Sequence, residues 1–245
     1  MDIEEYAKNV HFHVDEPPAL LMRILKTYSW QSYLDLGCGD GWLLSSLKNR
    51  GFFQGKRVAA VDLSESRIQV VRGLDSNFDC HVSSAESIPM IQDASIDLLV
   101  SSQVIEHVPS QENMLKEMHR VLIPGGLAYL STVHKKWYGW YFYRCNGKWA
   151  LDPTHLREYR NDDELLGPIS VAGLKVIEAR KELFWFPLSD FILRRLLPAN
   201  AARGLYRKRW LQALRRIRVP IPGYYNWELV LQRSLENKSM LDCAP

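Results

Sequence analysis

The chain has 245 residues, 47% of them hydrophobic and 24% charged, a composition that supports a sizeable core and excludes an intrinsically disordered chain. Its formal net charge is only +3, yet nine Arg or Lys residues and one acid, Asp190, fall between Pro187 and Pro222, so the remainder is net acidic. The start, MDIEEYAKNV, carries no apolar stretch of signal-peptide type, no run reaches the roughly 18 to 20 apolar residues of a spanning helix, and the four cysteines, Cys38, Cys80, Cys145 and Cys243, lack metal-type spacing and read as free thiols of a reducing, cytoplasmic compartment.

PPALLMRILKT (17–27) predicts a helix with proline in its first turn. SYLDLG predicts a buried strand, and WLLSSLKNRG the helix after it, ended by Gly51. RVAAVDLS is a second apolar strand, followed by the helix ESRIQVVRGL with Ser64 as its cap. FDCHVSSAES contains a third strand and IDLLVSSQ a fourth, apolar enough to be covered on both faces. QENMLKEMHRVL places Met114, Leu115, Met118, Val121 and Leu122 at helical spacing, and a PGG turn leads into a fifth strand, LAYLSTVH. NDDELLGPIS restarts a helix with Asn161 or Asp162 as cap; LKVIEARKELFWF and NWELVLQRS read as sixth and seventh strands. Strands alternating with helices predict an α/β fold with a doubly wound, mostly parallel sheet.

Two stretches interrupt that rhythm. Residues 134–160 are aromatic and irregular, with six aromatics between Trp137 and Tyr143, too many for one core-facing side; they read as an acceptor-pocket wall or an interfacial patch. In 187–222, Tyr206, Trp210, Ala213, Leu214 and Ile217 share about 100° of a helix with basic residues around the rest. That pattern suits an anionic membrane surface, a helix packed on the domain or, third, RNA.

The run YLDLGCGDGW carries the chemistry. Gly37, Gly39 and Gly41 follow the first strand with G-x-G-x-G spacing; Trp42 stands where a dinucleotide fingerprint needs glycine, and no Gly-Lys-Ser/Thr of a phosphate loop is present. The loop therefore suits a nucleoside-like ligand without a pyrophosphate, bound beyond the strand ends. Asp62, at the end of the second strand and 21 positions after Gly41, can accept ribose hydroxyls. Ala85 and Glu86 follow the third strand, where an adenine ring would lie.

LDLGCGDGW, AAVDLS, SAESIP, IDLLVSSQVIEHV and EMHRVLIPGG, in that order, closely resemble class I S-adenosylmethionine-dependent methyltransferases, most nearly the branch with quinone-biosynthesis and other small-molecule enzymes. The resemblance is strong over about 30–135 and looser to 180. It implies that S-adenosyl-L-methionine is the cofactor. Asp35 and the backbone of Gly37, Cys38 and Gly39 would hold the methionine part, with Gly41 in the same loop. Asp62, with Leu63 beside it, would hold the ribose, Ala85 and Glu86 would border the adenine, and Gln103 would face the transferred methyl. It also implies a reversed seventh strand beside the sixth.

The domain arrangement expected is a helical segment at 1–29, a methyltransferase domain formed by 30–186 and 223–236, and a basic amphipathic insertion at 187–222 before the last strand. Methyl transfer requires alignment of an acceptor and, for a hydroxyl, a base. His155 in LDPTHLREYR, His107 in IEHVP and His134 at the end of the fifth strand are the candidates, in that order. The His11-x-His13 pair has no third ligand nearby, so no metal is expected. The acceptor expected is a hydroxyl on a small or lipid-linked molecule such as a glycan or quinol. RNA methylation and a non-catalytic cofactor-binding subunit are the alternatives.

Overall fold

The computed structural model describes residues 16–141, 143–145, 148–152, 154–187, 209–214 and 217–235; the His11–His13 pair and most of the basic insertion lie outside them. The first helix, α1 (Ala19–Thr27), starts after Pro18 and buries Leu20, Leu21, Ile24 and Leu25 on one face. Strand β1 (Ser32–Leu36) is buried along its whole length. Then come α2 (Trp42–Asn49), β2 (Arg57–Asp62), α3 (Glu65–Arg72), β3 (Asp79–Val82), β4 (Ile96–Ser102), α4 (Gln111–Val121) and β5 (Leu122–Lys135). A short hairpin, β6 (Tyr143–Cys145) and β7 (Lys148–Ala150), precedes α5 (Asp163–Val171), β8 (Leu174–Pro187), α6 (Arg209–Leu214) and β9 (Arg218–Arg233).

Local chemistry accounts for the helix starts. Ser64 Oγ accepts from Arg67 N at 3.3 Å and Ser110 Oγ from Asn113 N at 3.2 Å, each satisfying an amide that the first turn leaves free. Helix α4 buries the four positions Met114, Leu115, Met118 and Val121 that its periodicity selected. At α5, Asp162 occupies the cap position but gives its carboxylate to Lys181 and His134, and Glu164 bonds back to Arg160 N and Asn161 Nδ2 instead.

The seven-stranded sheet has the order β3-β2-β1-β4-β5-β9-β8. All neighbours are parallel except β9, which runs antiparallel to both β5 and β8. The last strand thus inserts between the fifth and the sixth, and it is longer than NWELVLQRS, because Arg218–Pro220 still pair with Trp185–Pro187. One face of the sheet packs Leu34, Leu36, Leu99, Leu130 and Trp227; the other packs Tyr33, Leu98, Val100 and Tyr129 under α1 and α2. Such alternation is what a strand covered on both sides produces.

A single carboxylate registers the middle of the sheet. Asp97 Oδ2 accepts from Gln31 N at 2.9 Å, Ser32 N at 2.8 Å and Ser32 Oγ at 2.7 Å, while Asp97 N donates to Ser32 Oγ at 2.9 Å. This ties the start of β1 to the start of β4. Asp97→Ala leaves two amides without their acceptor and is expected to lower unfolding free energy by about 1.5–3 kcal/mol, as for hydrogen bonds to a charged group. Chemical denaturation checks it: a midpoint unchanged from wild type would show that the pairing of β1 with β4 does not depend on this carboxylate.

Candidate functional site

A cleft of about 1210 Å³ opens at the carboxyl ends of β1, β2, β4 and β5. It exceeds the roughly 300–1000 Å³ of a site for one drug-sized ligand, which leaves room for two ligands side by side. Eight of the ten expected cofactor residues line it: Gly37, Cys38, Gly39, Asp62, Leu63, Ala85, Glu86 and Gln103. His107 and His155 line it as well. Asp35, Gly41 and His134 do not.

The three glycines have three different reasons. A Cβ on Gly37 would collide with the Val104 side chain, so this position is closed by the loop after β4. A Cβ on Gly41, at φ 72°, would lie 2.8 Å from Leu74 Cδ1 and 2.9 Å from Val71 Cγ2; the missing side chain here lets α2 start against α3. A Cβ on Gly39 would meet nothing within 4 Å and would stand in the open cleft. At Gly39 the backbone itself therefore borders the open cleft.

Asp62 holds that backbone in place. Its Oδ2 accepts from Gly39 N and its Oδ1 from Ser64 N, both at 2.9 Å. Each oxygen keeps a further lone pair for a ligand hydroxyl. Glu86 has a comparable double task, since Oε1 accepts from Ser110 N at 2.7 Å and so joins the loop after β3 to the cap of α4. Gln103 has a left-handed backbone, φ 57°, which is costly for a residue with a side chain and is held by Gln103 N donating to Ser131 O at 2.9 Å and Nε2 donating to Asn226 Oδ1 at 3.0 Å.

Asp35 lies under the loop. Its Oδ2 is buried with no protein partner among the described residues. Burial first, and the neighbouring Asp62 charge second, push its carboxyl up to about 7. An orphaned acid beneath an open backbone cradle is a site that a cationic ligand group would complete.

At the other end of the cleft, the segment 154–160 folds over the loop that follows β4. The Arg157 guanidinium donates to the carbonyls of Ile105 (2.7 Å), Val108 (2.6 Å) and Pro109 (2.7 Å), and Leu156 N donates to Glu106 O at 2.9 Å. This clamp brings His155 and His107 together, with ring centroids 4.8 Å apart and planes crossed edge to face. His155 Nδ1 lies 3.1 Å from Glu158 Oε1. Glu158 is in turn held by Leu151 N at 2.7 Å and by Lys135 Nζ at 3.2 Å. Burial disfavours the charged imidazole, but the Glu158 hydrogen bond and the Glu106 charge outweigh it, and His155 titrates above its usual range. His107 Nδ1 contacts Thr154 Oγ1 at 3.1 Å, and that hydroxyl donates to Asp152 Oδ1 at 2.6 Å.

Glu106 is fully buried beside the two histidines; Oε2 accepts from Thr132 Oγ1 at 2.8 Å and Oε1 has no partner among the described residues. Donor atoms of Glu106, His107 and His155 lie within 4.8 Å of one another, a set that could take a divalent metal and that the spacing of residues in the sequence did not reveal. His134 is placed elsewhere. It is buried against Trp227, ring centroids 5.4 Å apart, with Nε2 3.4 Å from Asp162 Oδ1, and burial followed by the Lys181 charge depresses its titration. Of the three candidate bases, His134 is thus the one that packs in the core and not at the cleft wall. Glu158, Glu106 and Asn226 are the residues of this cleft region that the sequence pattern did not single out.

The far wall is divided by polarity. Asn226 and Glu228 of β9 border it near Gln103, and the Tyr129 hydroxyl donates to the buried Glu228 carboxyl, which burial raises above its usual range. Tyr141, Phe184, Phe186 and Ile221 line the outer part.

Residues 34–130 match the family model described as "Methyltransferase domain". The chain is 30% identical over 169 residues to the ubiquinone biosynthesis O-methyltransferase of Idiomarina loihiensis, covering 65% of this chain and 68% of that relative. It is 35% identical over 106 residues to the Xanthomonas oryzae pv. oryzae protein of the same name, covering 42% of this chain and only 43% of that one. Among solved structures it resembles the [4+2]-cyclase SpnF (TM-score 0.58, 19% identity, 88% of this chain and 79% of that one). It also resembles geranyl diphosphate C-methyltransferase from Streptomyces coelicolor A3(2), solved with Mg2+, geranyl diphosphate and S-adenosyl-L-homocysteine (TM-score 0.57, 14% identity, 87% and 75%). At these identities the structural likeness shows the fold alone.

The glycine loop and Asp35 each lead to a measurable outcome. Gly39→Ala is expected to fold with a cost near that of its strained backbone, about 1 kcal/mol, and Gly41→Val to lose several-fold more because it also displaces Leu74 and Val71. Equal melting temperatures for the two variants would refute the division of roles. For Asp35 the sign follows from linkage: between about pH 4 and pH 7 the folded protein keeps a proton that the unfolded chain has released, so stability without ligand falls as pH rises through this window. Asp35→Asn should flatten that fall in a series of thermal melts; an undiminished slope in the variant would assign it to another group.

Proposed function

The chain belongs to the class I S-adenosylmethionine-dependent methyltransferases, and from that premise we propose that it methylates a hydroxyl of a small, partly apolar acceptor, with His155 as the base. The observation that carries the reading is the His155–Glu158 pair at the wall of the cleft. A carboxylate on Nδ1 fixes the tautomer and leaves Nε2 with the lone pair that can accept a proton.

The residues present fit the cofactor. Gly39 offers an open backbone, Asp62 retains acceptor capacity for ribose hydroxyls, and Asp35 Oδ2, without a partner among the described residues, supports a cationic group nearby. Ala85 and Glu86 border the end of the cleft where an adenine would rest. Bound there, S-adenosylmethionine supplies an electrophilic methyl carbon. The protein's share is alignment and proton removal: the acceptor is oriented between Gln103 and His155, its hydroxyl proton passes to His155, and Glu158 stabilises the imidazolium that results. The polar end at His155, Gln103 and Asn226 and the apolar end at Tyr141, Phe184, Phe186 and Ile221 suit a hydroxylated head group on an apolar body. Two relatives named for ubiquinone biosynthesis support a phenol or quinol as that head group.

A second reading rests on the convergence of Glu106, His107 and His155. A divalent cation held there would bind the acceptor oxygen and lower its pKa, which would make a separate base unnecessary. Activity retained after dialysis against a chelator selects the base; loss that returns with added Mg2+ or Zn2+ selects the metal.

The test is transfer of label from S-adenosylmethionine to phenols and quinols with and without an alkyl or isoprenoid tail. His155→Ala is expected to lower turnover about 10²- to 10⁴-fold with cofactor affinity unchanged, Glu158→Gln to lower it less, and His134→Asn to leave turnover near wild type. Full activity of His155→Ala, or transfer to no phenol or quinol of the panel, would overturn the assignment.

A further inference from the structure

The aromatic loop after β5 and the outer end of the β8–β9 arm meet. Lys136 N donates to Gly223 O at 2.8 Å, Trp140 N donates to Pro222 O at 3.3 Å, and Gly223 packs directly on Gly139. On the same arm Trp185 pairs with Pro220 and Pro187 with Arg218. The loop and the arm thus form a continuous stretch of surface on which Trp137 (90%), Tyr138, Trp140 and Trp185 are exposed, and Trp210 and Ile217, also exposed, lie in the chain just before β9. The outer part of the cleft reaches it, because Trp185, Pro187 and Arg218 line the cleft and also belong to this arm.

Exposed tryptophans grouped like this carry a large cost in water and call for a partner. The partner must suit both wide amphipathic rings and positive charge, since Lys136 and Arg218 are exposed beside them and the sequence from Pro187 to Pro222 carries nine basic residues and one acid. A lipid headgroup layer offers both at once: Trp and Tyr settle at the boundary of headgroup and acyl chain, and Arg and Lys are drawn to anionic lipid. We propose that this composite face docks the protein on an anionic bilayer, with the mouth of the cleft turned to the membrane. The face is broader than the basic helix expected at 187–222, since the 136–141 loop supplies three of its aromatic rings. No described helix is long and apolar enough to cross a membrane, and the mode of attachment inferred is peripheral. The inference goes beyond the methyl-transfer reading and stands without it, because docking is measured with no acceptor present.

The experiment is flotation of the full chain with vesicles of phosphatidylcholine alone and of equal parts phosphatidylcholine and phosphatidylglycerol. The wild type is expected to float with the anionic vesicles at low salt, to be partly released at high salt, and to stay behind with the neutral ones. Trp137→Glu and Trp210→Glu, both at exposed positions, should each reduce partitioning by about tenfold or more, with the thermal shift on adding S-adenosylhomocysteine as in wild type. Trp137→Phe should restore most of the partitioning, which a mere loss of fold would not allow. A protein that ignores anionic vesicles at low salt overturns the proposal. So does undiminished flotation of both glutamate variants. A third adverse outcome is release of the wild type from vesicles by a single-stranded oligonucleotide that still binds Trp137→Glu with steep salt dependence, which would make nucleic acid the partner.

Discussion

The site depends on one carboxylate that joins two loops. Asp62 takes the amide of Gly39 on one oxygen and that of Ser64 on the other. The first bond sets the glycine of this loop at which a Cβ would stand in open space; the second sets the cap residue of α3. Backbone amides buried at a cleft must find acceptors, and a charged acceptor makes short, strong bonds to them. A neutral or shorter side chain at this position would release both loops together. The glycine-loop backbone at the cleft and the position of the helix beside it are therefore a single structural unit.

The second half of the cleft depends on the direction of β9. Because it runs antiparallel between β5 and β8, it presents Asn226 and Glu228 beside Gln103 and Ser131, and its first residues extend to pair with the end of β8. A parallel strand in that slot would need a crossover and would place other residues at the wall. The reversal is what gives the cleft a polar inner end and an apolar outer end. Arg157 completes the enclosure from the opposite side by satisfying three carbonyls that the loop after β4 leaves unpaired. A cation spent in this way is structural, and it is what allows His155 to be buried and still line the cleft.

Buried acids recur around the cleft. Asp35, Glu106 and Glu228 are all held above the usual carboxylate range, with burial as the leading cause in each. Three such groups are costly for the empty protein. The cost is offset when a ligand supplies charge or hydrogen bonds, which is the reason such groups gather where ligands bind. The same arrangement keeps Glu158 in its ionised form: burial alone would raise it, but His155, Leu151 N and Lys135 together hold it below its usual range. A carboxylate that stays charged next to a histidine can stabilise the proton that the histidine receives.

What the sequence determined by itself was whatever short-range pattern carries. Alternation of apolar runs with 3.6-residue periodicity was enough for the doubly wound sheet, Ser64 was legible as a cap, and Gly39 and Asp62 were legible as parts of one cleft because they sit at the ends of adjacent strands. The tertiary structure decided everything that rests on contacts between distant segments. It assigned Gly41 to helix packing, through Val71 and Leu74 some thirty positions on, and His134 to the core, through Trp227. It paired His155 with Glu158, a residue that in the sequence looks like one more solvated acid among Arg157, Tyr159 and Arg160. The physical reason is burial: whether an ionisable side chain is solvated, paired or poised depends on the dielectric and the charges around it, and those come from elements that meet only in the folded chain.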